Sequence, residues 1–147
     1  MPSFAELFSA SGGKPTLYKG RVICLADRLE LEDGQSVRVK FERANGEWRQ
    51  GVRLSTRGSF EVDERLIKKA VLLWHDTAPS EVLLKVHTRN GECWIKNVWD
   101  RGDGVVDSGH NGAAMIIEER TGTRRYFCND GDPDEDFDDL VFTVEIV

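Results

Sequence analysis

Cysteine and histidine are scarce in this chain, with three of each among 147 residues. Cys24, Cys93 and Cys128 show no C-x-x-C spacing, which excludes a thiolate zinc clip or a dithiol redox motif. An odd number cannot all pair, so they read as reduced, small strand residues, with one disulfide plus a free thiol as the alternative. His75, His87 and His110 are scattered, and no H-x-x-x-H spacing places two metal ligands on one helix face. No apolar run approaches the length needed to cross a bilayer, and no membrane partner is expected. Met1-Pro2-Ser3-Phe4-Ala5-Glu6-Leu7-Phe8 has neither a basic start nor an apolar h-region. The expectation is a cytoplasmic protein unless a non-classical route exports it.

Basic residues are also absent from one region. After Arg125 there is neither Lys nor Arg, and Tyr126 to Val147 carries eight acidic groups. The whole chain has a net charge of -6, so the acidity is local. Upstream, Lys14, Lys19, Arg21, Arg38, Lys40, Arg49, Arg53, Arg57, Lys68 and Lys69 are dispersed. No stripe of base-stacking aromatics joins them, and the pI is about 5.1, so nucleic acid is not an expected ligand. Arg124-Arg125, just before the acidic run, are candidates to offset its charge without metal.

What is present is a succession of short strands and turns. Ser36 to Glu42 alternates apolar and polar residues, and Asn45-Gly46 then reads as a hairpin turn. Ala70-Val71-Leu72-Leu73-Trp74 is a continuous apolar run ended by a turn-rich segment up to Ser80. Asn90-Gly91, between Glu81–Thr88 and Glu92–Trp99, is the strongest hairpin signal. Thr121-Gly122-Thr123 separates two further strands, and Asp63 to Lys69 fits either a helical turn or a crossing loop. Strands at about ten-residue spacing predict one all-β domain over 1–147, an antiparallel β-sandwich or jelly roll. A short N-terminal helix over Ser3–Phe8 completes the expectation. In the last strand Leu140, Phe142, Val144 and Ile146 share one face, predicted to be the core face.

The most specific signal is the run Cys128-Asn129-Asp130-Gly131-Asp132-Pro133-Asp134-Glu135-Asp136-Phe137-Asp138-Asp139. Carboxylates about 7 Å apart on an extended segment repel in water by about 0.6 kcal/mol per pair. A hard cation taking six to eight oxygens relieves that repulsion, so calcium is the expected cofactor. Asp130, Asp132, Asp134, Asp136, Asp138 and Asp139 are the candidate ligands. Phe137 sits inside the run as a candidate anchor to the core, unlike a disordered acidic tail. The helix-loop-helix calcium pattern fails: from Asp130 as position one, position six is Glu135 and position twelve is Val141.

Asp134-Glu135-Asp136-Phe137-Asp138-Asp139-Leu140-Val141-Phe142 resembles the D-x-D-[FY]-[ND]-D loop that closes certain calcium-binding bacterial β-sandwiches. It is similar to the loop of the two-calcium bacterial lectins that bind fucose and mannose. That resemblance implies Asp134, Asp136, Asp138 and Asp139 as loop ligands, Asp130 as a further one, and a carbohydrate ligand. Asp138 stands where asparagine is usual. Asn97 to Gly112 is similar to a stretch in uncharacterised bacterial β-sandwich domains that carries no known activity. Its oxygen-rich loop, with Asp103, Asp107 and Asn111, reads as a surface loop or as a wall of the acidic site beside Trp99.

Three functional readings follow. The first is a calcium-binding recognition module, lectin-like, with Trp94, Trp99 or Trp48 available to stack on a sugar. The second is an acidic interaction or inhibitor-type module that docks a basic protein partner without metal. The third is a small hydrolase. No enzyme is expected, because Thr88, Ser108 and Cys93 lack a nucleophile context. His75-Asp76, at a strand end before Pro79, reads as a turn pair rather than a base and its carboxylate.

Overall fold

The computed structural model describes residues 4–108, 113–131 and 136–147. Among these residues one helix, α1 (Phe4–Ala10), precedes ten strands. These are β1 (Thr16–Tyr18), β2 (Arg21–Ile23), β3 (Asp27–Glu30), β4 (Gln35–Arg43), β5 (Arg49–Val62), β6 (Arg65–Trp74), β7 (Glu81–Asp100), β8 (Ala114–Arg120), β9 (Thr123–Asn129) and β10 (Leu140–Ile146). β1 and β2 form a hairpin, and the others form a sheet ordered β6-β5-β7-β4-β10-β9-β8, with β3 also paired to β7. Every pairing is antiparallel. The architecture is the expected all-β antiparallel sandwich with a short N-terminal helix.

Two hairpin signals lead elsewhere in the structure. Asn90-Gly91 lies inside β7, which runs without a turn from Glu81 to Asp100. Gly91 takes φ 75° there, and Asn90 Oδ1 accepts the Glu92 N–H at 3.2 Å, so the pair makes a kink rather than a reversal. β5 supplies the reason: it pairs with β7 on both sides of the kink, from Glu61↔Lys85 to Arg49↔Asp100. Asn45-Gly46 joins β4 to β5, which are not neighbours, so it is no hairpin either. Asp63-Glu64 forms the two-residue turn of the β5–β6 hairpin, both residues at positive φ as a type I′ turn requires. Thr121-Gly122 turns β8 into β9 as expected.

The sheet folds over on itself because its longest strands bend. Gly51 of β5 is flanked by Trp74 on β6 and Val98 on β7. If β7 were straight, Glu81 would lie about 55 Å from that level. The six-residue link from Trp74 to Glu81 spans at most about 25 Å. The bends are visible as register shifts: Ser55/Ser59 between β5 and β6, and Thr56/Gly58 between β5 and β7. At the bend a Cβ on Gly58 would sit 1.9 Å from the His87 carbonyl oxygen, so the two backbones meet there only because residue 58 is glycine.

Folding over buries one continuous core. β4 contributes Val37, Val39 and Phe41; β5 Val52, Leu54 and Phe60; β7 Val82, Leu84, Val86, Cys93 and Ile95. β10 presents Leu140, Phe142 and Val144 as the alternation predicts, with Ile146 partly buried beside them. Phe142 stacks on Tyr126 of β9 at 4.6 Å between ring centres. The apolar run at 70–74 instead alternates, with Val71 and Leu73 buried and Leu72 exposed. A smaller cluster gathers Phe4 and Phe8 of α1 with Ile23, Ala114 and Phe137. All three cysteines are free and buried.

Candidate functional site

The acidic segment leaves β9 at Asn129 and returns into β10 at Leu140, and its neck is a dense polar cluster. Asn129 is fully buried; its carbonyl accepts from Asn97 Nδ2 at 2.8 Å and its Oδ1 from the Phe137 N–H at 2.6 Å. Phe137 occupies φ 55°, a conformation that costs a side-chain-bearing residue about 1 kcal/mol. Burial of its ring offsets that cost: it packs against Phe4 at 5.7 Å, under the Arg21 guanidinium at 5.1 Å. The expected anchoring role of Phe137 is therefore met, and α1 is the element that provides the socket.

Asp130 and Asp139 meet across the neck. The Asp130 N–H donates to Asp139 Oδ2 at 3.0 Å, and both residues are buried, 2% and 4% exposed. Gln50 Nε2 donates to Asp130 Oδ2 at 2.8 Å, while the Asp139 carbonyl accepts from the N–H groups of Asn45 and Gly46. Asn45 Nδ2 reaches Asp138 Oδ2 at 3.4 Å. Asn45-Gly46 thus serves the acidic loop instead of a hairpin. A Cβ at Gly46 would fall 2.5 Å from Gln50 Nε2 and 3.1 Å from Asp130 Oδ2, so glycine admits the close approach. Gln50, itself 2% exposed, keeps its Oε1 buried without a hydrogen-bond donor among the described residues.

Of the six candidate ligands, Asp130, Asp138 and Asp139 converge on the Asn45–Gln50 segment. Asp136 is exposed, and Asp132 and Asp134 lie outside the described residues. Among the described residues no three His, Cys, Asp or Glu side chains form a metal-holding group. Arg124 and Arg125 do not turn to the loop. Arg124 bonds Asp27 at 2.8 Å, and Arg125 bonds Glu42 at 2.7 Å.

The upstream loop does approach this site. Trp99 and Asp107 exchange backbone hydrogen bonds, and the Trp99 ring packs against Trp48 at 6.5 Å. A Cβ on Gly131 would come within 2.9 Å of the same ring. Trp99 is only 1% exposed, which corrects its assignment as a sugar-stacking residue: its ring is not open to a ligand. Asp107 pairs with Arg101 at 3.2 Å, and Asp103 Oδ1 caps the Val105 N–H. Both carboxylates order their own loop. Asn111 lies outside the described residues. At the far side, Arg49 holds Asp76 at 2.8 Å and His75 lies edge-on to Phe41, so the His75-Asp76 pair is a structural turn.

Cations that are dispersed along the sequence are brought together by the fold. The bends of β5, β6 and β7 coincide at a concavity of about 1230 Å³, lined by Arg53, Arg57, Lys68, Lys69, His87 and Arg89. Lys68 and Lys69 are adjacent on a strand and should point to opposite faces. Lys69 takes φ 69° at the register shift, which interrupts the alternation and leaves both on this surface. No sequence pattern announced it, because the residues come from three strands and meet only at a bulge.

No protein-family model, curated protein or solved structure matches this chain.

Proposed function

We propose that the chain is a non-catalytic recognition module whose acidic end is braced by calcium. The observation that supports the reading is the neck itself. Two buried acidic residues meet there, the Asp139 carboxylate on the Asp130 N–H and the Asp130 carboxylate on Gln50, whose Oε1 is a buried acceptor without a donor among the described residues. Leaving a buried polar atom unmade costs about 1–3 kcal/mol. Oxygen-rich and anionic, with Asp138 beside it on Asn45, this neck suits a hard cation better than any other ligand class. In this reading Asp130, Asp139 and Gln50 form the inner wall, and Asp136 and Asp138 supply further oxygens. A carbohydrate would then be held through the ion, with half-buried Trp48 an aromatic beside Gly131.

A second reading has its own observation. The Asp130–Gln50 and Asp138–Asn45 hydrogen bonds already satisfy part of the neck without metal. The acidic end would then dock a basic partner directly.

Thermal melts in chelator and in millimolar calcium distinguish the two. Binding to the folded state alone adds about 2.7 kcal/mol at a hundredfold excess over Kd. In a domain of this size that raises Tm by about 5–10 °C. Asp136→Asn, exposed and outside the buried neck, is expected to reduce the gain. Asp63→Asn, in the distant β5–β6 turn, should leave it intact. Identical melts and no binding heat by calorimetry would put the metal-free docking patch in front.

A further inference from the structure

The bend of β5, β6 and β7 gathers several cations on one surface. Arg28, Arg38, Arg49, Arg101, Arg124 and Arg125 each hold a carboxylate. Arg53, Arg57, Lys68, Lys69 and Arg89 are exposed, and among the described residues none of them forms an ion pair. One carboxylate, Asp33, lines the same concavity, and its Oδ1 is engaged by the Thr88 N–H at 3.0 Å. Like charges gathered on a folded surface repel, and a chain with net charge -6 has ample acid to neutralise them. Beside the groove, Lys96 titrates below the ordinary lysine value, through its burial and then the charge of Arg53 opposite it on β5.

We propose that this concavity is a docking groove for an extended acidic segment of a partner protein. Its dimensions suit such a segment. Arg53 and Arg57 lie four residues apart along β5, about 13 Å, and the three strands span about 10 Å across. The groove accepts a few residues of extended chain, with guanidinium forks and ammonium groups placed for carboxylates. β6 is an end strand of the sheet, so its outer backbone edge, unpaired among the described residues, lies beside Lys68 and Lys69 and can pair with an added strand. Leu66 on that edge is 61% exposed and lines the groove, an apolar contact that a peptide side chain uses.

Nucleic acid fits less well. No Phe, Tyr or Trp lines the groove to stack a base, and the net negative charge outside it repels a long phosphate backbone. The groove's role does not depend on whether the acidic end binds calcium.

The test is fluorescence anisotropy with a labelled Glu-rich peptide carrying two leucines, run in chelator and again in calcium. A single-stranded and a duplex DNA of similar length serve as comparators. The peptide is expected to bind in low salt and to weaken at least about tenfold in about 0.5 M salt. Arg57→Glu with Arg89→Glu should abolish detectable binding. Lys68→Gln, a milder change on an exposed strand position, should weaken it about threefold to tenfold, the loss of a single charged contact. Lys14→Glu with Lys40→Glu, away from the groove, should bind as the parent does. Undiminished binding by Lys68→Gln and the double Arg variant would overturn the proposal, as would tighter binding of either DNA. Concentration-dependent self-association in sedimentation, lost in the same variants, would also overturn it by making a second copy the occupant.

Discussion

At the scale of single residues, this protein fixes its interior with a few polar ties placed inside apolar surroundings. Asp27 on β3 accepts from the Tyr126 hydroxyl at 2.5 Å and from Arg124 at 2.8 Å, tying β3 to β9 across the folded-over sheet. Burial, with Asp27 beside it, pushes the Tyr126 phenol far above its usual range, so it remains a donor at every physiological pH. Its ring covers Phe142, which has no solvent exposure. Phe142→Ala is therefore expected to cost about 3–5 kcal/mol, because the cavity opens where two rings stack. Thr143→Ala, on the half-exposed face of the same strand, should cost under about 1 kcal/mol. Chemical denaturation of the two variants checks the contrast, and equal losses would contradict the assigned faces of β10.

At the scale of elements, the bends decide the fold. Gly58→Ala would press a methyl group into the His87 carbonyl, a backbone atom that cannot rotate aside. The expected loss is about 2–3 kcal/mol, the range of an overpacked site, measurable as a lower denaturation midpoint. Gly122→Ala, at a turn with open space around it, should lose only the smaller cost of its positive φ. These positions also show what was legible beforehand. The β10 alternation, the helix carrying Phe4 and Phe8, and Phe137 as an anchor were readable because each rests on local periodicity or on one apolar residue in a polar run. The kink at Asn90-Gly91 was not readable, because a turn sequence leaves the strand only if no neighbour continues the ladder, and β5 continues it. Asp63-Glu64 hid a genuine hairpin because neither residue is glycine, although both take positive φ. The neck of the acidic site was half legible. Its aspartates cluster in one run of sequence, but Gln50 and Asn97 come from β5 and β7 and Gly46 from the β4–β5 connection, and only tertiary contact joins them.

At the scale of the whole molecule, the fold separates charge by sign. The acidic neck lies at the β9–β10 connection, whereas the bends of β5, β6 and β7 gather unpaired cations. The interior between them holds groups that resist ionisation, and their combined effect sets the alkaline limit of stability. Burial pushes the Cys24 and Cys93 thiols up to about 12, and it raises Cys128 well above the ordinary thiol value. In the unfolded chain these thiols lose their protons near pH 8.5–9. Above that pH the unfolded state binds fewer protons than the native state, so unfolding becomes progressively more favourable. The contribution is fully present below about pH 8.5 and is lost as pH rises toward 12. Melting temperature should hold steady from about pH 7 to 8 and fall steeply between about pH 9 and 11. Cys93→Ala should flatten that fall, since one of the buried thiols is gone. Cavity formation would lower its Tm at neutral pH, but a smaller cavity term does not change the slope. The slope against pH is therefore the quantity to measure, by calorimetric melts at matched ionic strength. A slope unchanged by Cys93→Ala would show that the buried thiol does not govern the alkaline transition.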